Sequence, residues 1–218
     1  MKKIIFVEGV PGAGKTTVVR ELLCAAPEAE PLQPVYSSRL IPENLVRSAV
    51  KRGRKLTLEE ARALYRSRPY DKYREEHRTI WKQFCRENQG QNQIADAGLI
   101  QAPLYELFGL YQLSMEKILT HIQGILDIVT EFFQPELLYI QTDAPALCVR
   151  SAMKQQREQR KQWITGFCKW LEVAPFPMEK QYTGRAGIEQ FVRDRYPIDC
   201  YLTENLKIRK EYRFRKML

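Results

Sequence analysis

No apolar run in the 218 residues approaches the roughly 20 needed to cross a bilayer, and 28% of the chain is charged, so a membrane-spanning reading is set aside. Cysteine is sparse and scattered. Cys24, Cys85, Cys148, Cys168 and Cys200 form no CxxC pair, and with only two histidines no metal-ligand spacing arises. A zinc module and a disulfide scaffold are both excluded on that pattern, and a reduced, cytoplasmic setting is expected. The opening apolar run, Ile4-Ile5-Phe6-Val7, is cut after four residues by Glu8, which is too short for a secretory leader and reads as a first strand. Internal repeats, low-complexity tracts and Gly/Ser/Pro linkers are missing too. With 44% apolar residues the chain can bury a sizeable core, and one domain over 1–218 is expected.

Acidic residues are also short: 35 Lys and Arg face 26 Asp and Glu, a formal charge of +9. The imbalance is local. Residues 39–74 hold eleven basic and four acidic side chains, and residues 207–216 are basic as well. Such a surplus suits a nucleic acid or a polyanionic nucleotide equally, or is a solvated face. No aromatic RNA-binding signature and no zinc-finger spacing accompanies it, so nucleic acid stays a secondary partner.

The strongest motif follows the first strand directly. Gly9-Val10-Pro11-Gly12-Ala13-Gly14-Lys15-Thr16-Thr17 contains G-x-x-x-x-G-K-[ST], and Val18-Val19-Arg20-Glu21-Leu22-Leu23 continues as a helix. Glycines at these positions let successive backbone N–H groups converge on phosphate oxygens, and the helix N-terminus adds its positive end. The reading assigns Gly9, Pro11, Gly12, Ala13, Gly14, Lys15, Thr16 and Thr17 to ATP, with GTP left open. Lys15 would bridge the β- and γ-phosphates, and the Thr16 hydroxyl would hold Mg²⁺.

Further along, residues 33–39 suggest a second strand and its exit loop. Thr57-Leu58-Glu59-Glu60 has capping-box spacing ahead of Ala61, Leu64 and Tyr65. Residues 71–88 place Tyr73, His77, Ile80, Trp81 and Phe84 on one helical face. Residues 93–98 read as a third strand ending in a carboxylate, Asp96. Two helices follow near 102–111 and 115–133, then a fourth strand at 137–141 and a helix opening at Pro145. Residues 188–196 read as a helix and 198–202 as the last strand. Strands alternating with helices predict an α/β fold with a parallel sheet.

These features resemble the P-loop nucleoside and nucleotide kinases, the group that includes thymidylate and deoxynucleoside kinases. The likeness lies in Phe6 to Thr17, in Asp96 closing the third strand, and in Leu138-Tyr139-Ile140 followed by Pro145 and Arg157-Glu158. Residues 98–107 are also similar to bacterial P-loop proteins described only as thymidylate-kinase-like. The resemblance implies a three-layer P-loop NTPase sandwich with a five-stranded parallel sheet in the order 2-3-1-4-5. It further implies a helical acceptor-binding region at about 40–90 and a lid at about 150–185 bearing Arg157 and Arg160. Two departures stand out. Thymidylate kinases carry an arginine directly after the strand-three aspartate, where this chain has Ala97 and Gly98. Deoxynucleoside kinases carry a glutamate after strand two, where this chain has Tyr36-Ser37-Ser38-Arg39.

The expected chemistry is phosphoryl transfer, with Lys15, Asp96, Arg157 and Arg160 as the catalytic set and Asp96 beside Thr16 at the metal. Arg39, Tyr73, His77, Trp81 and Gln101 are candidates for the acceptor wall, although an aromatic helix face serves core packing equally well. The acceptor would be a nucleoside, a nucleotide or another hydroxylated metabolite or antibiotic. Two alternatives stay open: a polynucleotide 5′-end kinase, and a regulatory nucleotide-binding protein without an acceptor. A homodimer is left open.

Overall fold

Alternation along the central strand builds the molecule. In the computed structural model of the protein, which describes residues 1–26, 32–155 and 158–215, β1 spans Lys2–Glu8. Its Ile4 and Phe6 enter one core and Val7 a second, because successive side chains leave opposite faces of a strand. β1 pairs in parallel with β3 (Gln93–Asp96) and β4 (Phe133–Thr142). β2 (Gln33–Tyr36) flanks β3, and β5 (Arg209–Arg215) flanks β4, giving one five-stranded parallel sheet in the order β2-β3-β1-β4-β5. This is the order that the P-loop kinase resemblance implies.

The helices divide between the two faces. On one, α4 (Tyr70–Asn88) and α6 (Met115–Thr130) set Tyr73, Trp81, Ile118 and Ile122 against Ile4 and Phe6. On the other, α1 (Lys15–Ala25), α7 (Pro145–Met153) and α8 (Glu158–Leu171) pack Val18, Val149 and Phe167 around Val7, Leu138 and Ile140. Between β2 and α4 stand two short helices, α2 (Leu45–Lys51) and α3 (Leu58–Arg66). The Thr57–Glu60 capping box forms as its spacing predicts. After β3 comes α5 (Gln101–Leu104), which widens into a π turn over Tyr105–Leu110. The short α9 (Pro175–Glu179) precedes α10 (Gly184–Asn205). None of the described helices is long and apolar enough to cross a membrane.

The C-terminal quarter departs from the sequence reading. Residues 198–202 are helical, not a strand, because α10 runs unbroken through Pro197. Buried Ile188, Phe191, Val192, Arg195, Ile198, Asp199 and Leu202 form one stripe at helical spacing, and that burial outweighs the hydrogen bond which proline forfeits. The last strand lies instead in the basic tail. There Arg209, Glu211, Tyr212 and Phe214 are exposed, as suits a sheet edge guarded by charge.

Tyr73, His77 and Trp81 are fully buried between α4 and the sheet, with Trp81 against Phe6 at 5.8 Å between ring centroids. All three lie in the core and line no part of the phosphate-loop cleft described below, although the Tyr73 hydroxyl finds no hydrogen-bond partner there. A polar thread crosses this core. Trp81 Nε1 donates to His77 Nε2 at 3.1 Å, His77 Nδ1 meets His121 Nε2 at 2.8 Å, and His121 Nδ1 meets the Tyr70 hydroxyl at 3.1 Å. The tryptophan donor fixes the order: with both rings neutral, each histidine accepts at Nε2 and donates at Nδ1. Burial pushes His77 down to about 3 and His121 to about 4.

Candidate active site

At the carboxyl edge of the sheet, Val7 lies level with Asp96, and Asp96 with Tyr36. Ligands bind open α/β sheets along this edge. The loop from β1 to α1 turns tightly there. Gly12 and Gly14 sit at φ 86° and 101°, a region that glycine enters without a Cβ penalty. Gly12 also lies hard against α7: a Cβ would fall 2.8 Å from the Cys148 carbonyl carbon, closer still to its oxygen, and 3.0 Å from Ala152 Cβ.

Lys15 opens α1 with all three ammonium donors engaged. It donates to the carbonyls of Gly9 (2.9 Å) and Val10 (3.0 Å) and to Gln101 Oε1 (2.6 Å). Burial pushes its pKa down to about 8, against the pull of Asp96 and Glu8. Gln101 is positioned from two sides. Glu8, fully buried at the end of β1, accepts the N–H groups of Leu99 (2.7 Å), Ile100 (3.0 Å) and Gln101 (3.0 Å), so it caps α5 from a neighbouring strand. Burial raises Glu8 to about 7 while those donors and Lys15 pull it down. Arg195 Nη1 donates to the Gln101 carbonyl at 3.3 Å, and its Nη2 to buried Asp199 at 2.8 Å.

The cleft at this edge encloses about 470 Å³. The loop and α1 supply Gly12, Lys15, Thr16, Thr17 and Arg20, and Tyr36, Ser37, Asp96 and Gln101 are also among the lining residues. Burial raises the Asp96 carboxyl and Lys15 lowers it, and Ala97 beside it takes φ 58°, turning the chain sharply toward α5. From α8 come Arg160 and Trp163, the guanidinium 5.1 Å from the ring centroid. Arg215, at the end of β5, enters the same cleft and donates to the Gly12 carbonyl.

Of the residues selected in the sequence, the structure therefore brings together the phosphate loop, Asp96, Gln101 and Arg160. Arg39 is exposed on the short turn after β2 and does not line the cleft. Arg157 lies outside the described residues. The stretch 158–171, within the expected lid, is a helix anchored in the core by Ile164, Phe167 and Leu171. Arg215 and the Glu8 and Arg195 contacts to Gln101 escape sequence reasoning. Arg215 is one of many basic residues in its tail, and the other two act across roughly 90 residues of chain. A larger groove, about 1150 Å³ between α4 and α6, has no glycine-rich loop. Its charges are partly spent locally, as in Arg74–Asp71 at 3.1 Å.

An all-parallel 2-3-1-4-5 sheet with this loop between β1 and α1 defines a P-loop α/β fold. No family model and no curated protein matches the chain. Among solved structures, shikimate kinase from Bacteroides thetaiotaomicron aligns at 15% identity over 93% of this chain and 95% of its own, with a TM-score of 0.31. EHV4-TK, a thymidine kinase complexed with TP5A, aligns at 10% identity over 99% and 86%, with a TM-score of 0.33. Likenesses this distant transfer no residue roles.

Proposed function

We propose that this protein is an ATP-dependent phosphotransferase that moves the γ-phosphoryl group to a hydroxyl of a small molecule. One observation carries the reading. Lys15, Arg20, Arg160 and Arg215 gather with the glycine loop in a cleft that Asp96 and Gln101 also line. Four cations and a backbone cradle suit a triphosphate, and a single carboxylate in the same cleft suits an acceptor hydroxyl.

Phosphoryl transfer asks mainly for positioning and charge neutralisation. Lys15 exchanges the Gly9 and Val10 carbonyls and Gln101 Oε1 for phosphate oxygens, which leaves the Gln101 side chain free to turn toward the acceptor. The Thr16 hydroxyl would hold a magnesium ion, with Asp96 joining it only through water; bound there, it would neutralise phosphate charge. Asp96 orients the acceptor hydroxyl and takes its proton. As the acceptor oxygen bonds to the γ-phosphorus, the bond to the β-phosphate oxygen breaks and ADP leaves. Arg160 and Arg215 balance charge on the transferring group. Arg157, three residues before Arg160 in the sequence, is proposed to add to them.

The test is ADP release with Mg²⁺ and ATP across nucleosides, nucleoside monophosphates and hydroxylated antibiotics, with Lys15→Ala as the blank. Acceptor-dependent release that is absent from the blank supports the reading. ATP binding with no acceptor dependence anywhere in the panel contradicts it, and points to nucleic-acid ends or a regulatory role.

A further inference from the structure

A second polar cluster lies along the helical segment that begins at Gln101. Five residues on, Glu106 occupies the π turn with 8% of its surface exposed. At about 1.5 Å per helical residue, its backbone lies roughly 7–8 Å along the helix axis from that of Gln101. Around it are Arg68, 9% exposed in the link between α3 and α4, fully buried Tyr73 on α4, and Tyr111 just past the π turn.

Three donors in this cluster have no partner. The Tyr73 hydroxyl, the Tyr111 hydroxyl and Arg68 Nε are all buried without a hydrogen bond. Arg68 is otherwise well held, with Nη1 on the Glu43 carbonyl at 3.0 Å and Nη2 on Glu76. Its guanidinium lies 5.5 Å from the Tyr73 ring centroid, and the Tyr73 and Tyr111 rings are 5.3 Å apart. Glu106 acts electrostatically on both tyrosines and Arg68 acts on Glu106, so the four groups surround one region. Yet neither hydroxyl nor Nε reaches the carboxylate. Buried donors are normally satisfied, and several orphans around one carboxylate mark the place of a polar guest. Burial raises Glu106 to about 7, and only the Asn44 amide and Arg68 oppose that rise.

We propose that Glu106, Arg68, Tyr73 and Tyr111 form the recognition end of the acceptor site, and that the acceptor is an uncharged hydroxylated molecule. It presents an O–H or N–H to Glu106 and lone pairs to the three donors, while its reactive hydroxyl reaches Asp96. The proposal rests on the phosphotransferase reading for that last contact alone. Charge selects the class. Arg68 already has its charge balanced by Glu76, so an anionic group at the far end would meet the buried Glu106 carboxylate with no uncommitted cation to offset it, and after Asp96 come the uncharged Ala97 and Gly98. The cleft's cations stand with the phosphate loop and are committed to the triphosphate. Asn44, whose amide donates to the Tyr65 hydroxyl at 2.6 Å, belongs to the cover that α2 and α3 place over the cluster.

The test uses full-length protein and two measurements. Thymidine, adenosine, glucose and myo-inositol, together with thymidine and adenosine 5′-monophosphates, are titrated calorimetrically into wild type and Glu106→Gln, then supplied as acceptors with MgATP. The nucleoside and polyol arms separate the two sources of the same hydroxyl-rich chemistry. Glu106→Gln removes a buried charge and should keep the wild-type melting temperature at pH 8, which shows that it folds. The expected result is that an uncharged compound binds, and that Glu106→Gln weakens its Kd and KM at least tenfold. The kcat should change less than threefold, with MgATP affinity unaltered. Binding with this tenfold loss but without transfer keeps the recognition site and refutes the phosphotransferase reading alone. Unchanged affinity in Glu106→Gln, binding of the monophosphates alone, or no binding by any of the six compounds overturns the proposal.

Discussion

Gly12→Ala tests the phosphate loop through its packing. The residue holds φ 86°, where an L side chain costs about 1–2 kcal/mol. Its new Cβ would sit 2.8 Å from the Cys148 carbonyl carbon and 3.0 Å from Ala152 Cβ. Ordinary contacts lie near 3.5–4.0 Å, so the loop or α7 must move by about 1 Å. Overpacking of that kind adds about 1–3 kcal/mol. A total near 3 kcal/mol lowers the melting temperature by about 6–12 °C in a chain of this size. The displacement matters more for function, because about 1 Å of misplacement costs about 100-fold in rate and moves the backbone that would hold the phosphates. Gly166→Ala is the control, since a Cβ there meets nothing within 4 Å and the residue lies inside α8. It should leave stability unchanged or raise it by about 0.5–1 kcal/mol. Both variants are compared by thermal unfolding and by equilibrium titration with MgATP. Gly12→Ala binding MgATP within threefold of wild type would refute the placement of the phosphates against this loop.

Arg215→Gln should weaken MgATP binding about tenfold, close to 1.4 kcal/mol, whereas Arg213→Gln loses exposed pairings with Glu21 and Glu211 and should not; titration of both decides. Asp96→Asn should lower kcat at least about 100-fold with ADP affinity in metal-free buffer unchanged, and a kcat within tenfold of wild type would remove Asp96 from the chemistry. The buried histidines predict a pH effect. Their folded pKa values, about 3 for His77 and about 4 for His121, lie below the ordinary 6.5, so the unfolded chain binds more protons as pH falls below 6.5. Stability contributed by the pair is therefore present above pH 6.5 and lost toward pH 4, by up to about 1.4 kcal/mol per pH unit for each ring. Raised Glu8 and Glu106 act with the opposite sign between pH 4.5 and 7, so the reading is the slope difference between wild type and His121→Gln in denaturant unfolding. Equal slopes would contradict it.

Legibility in the sequence followed the reach of the forces involved. The phosphate loop, the Thr57 capping box and the strand ending at Asp96 are local, so their residue order sufficed. The helical face of Tyr73, His77 and Trp81 was legible as a face, but periodicity does not say what a face packs against. Here it meets Phe6 and the buried His121. Residues 198–202 read as a strand on their own, and only the burial of Ile198 and Leu202 beside Val192 reveals the helix. Arg215 and Glu106 were invisible for a different reason. A basic tail and an acid in an apolar segment gain meaning only once β5 lies beside β4 and the π turn meets Arg68.

The most direct test follows the phosphorus atom itself. ATP labelled in its γ-phosphoryl group is incubated with Mg²⁺, the protein and the acceptor panel, and the label is traced by mass spectrometry. Label in an organic phosphate ester, one for each ADP formed and none with Lys15→Ala, is the predicted result. Label found only in inorganic phosphate, released at a rate that no acceptor changes, would contradict the account.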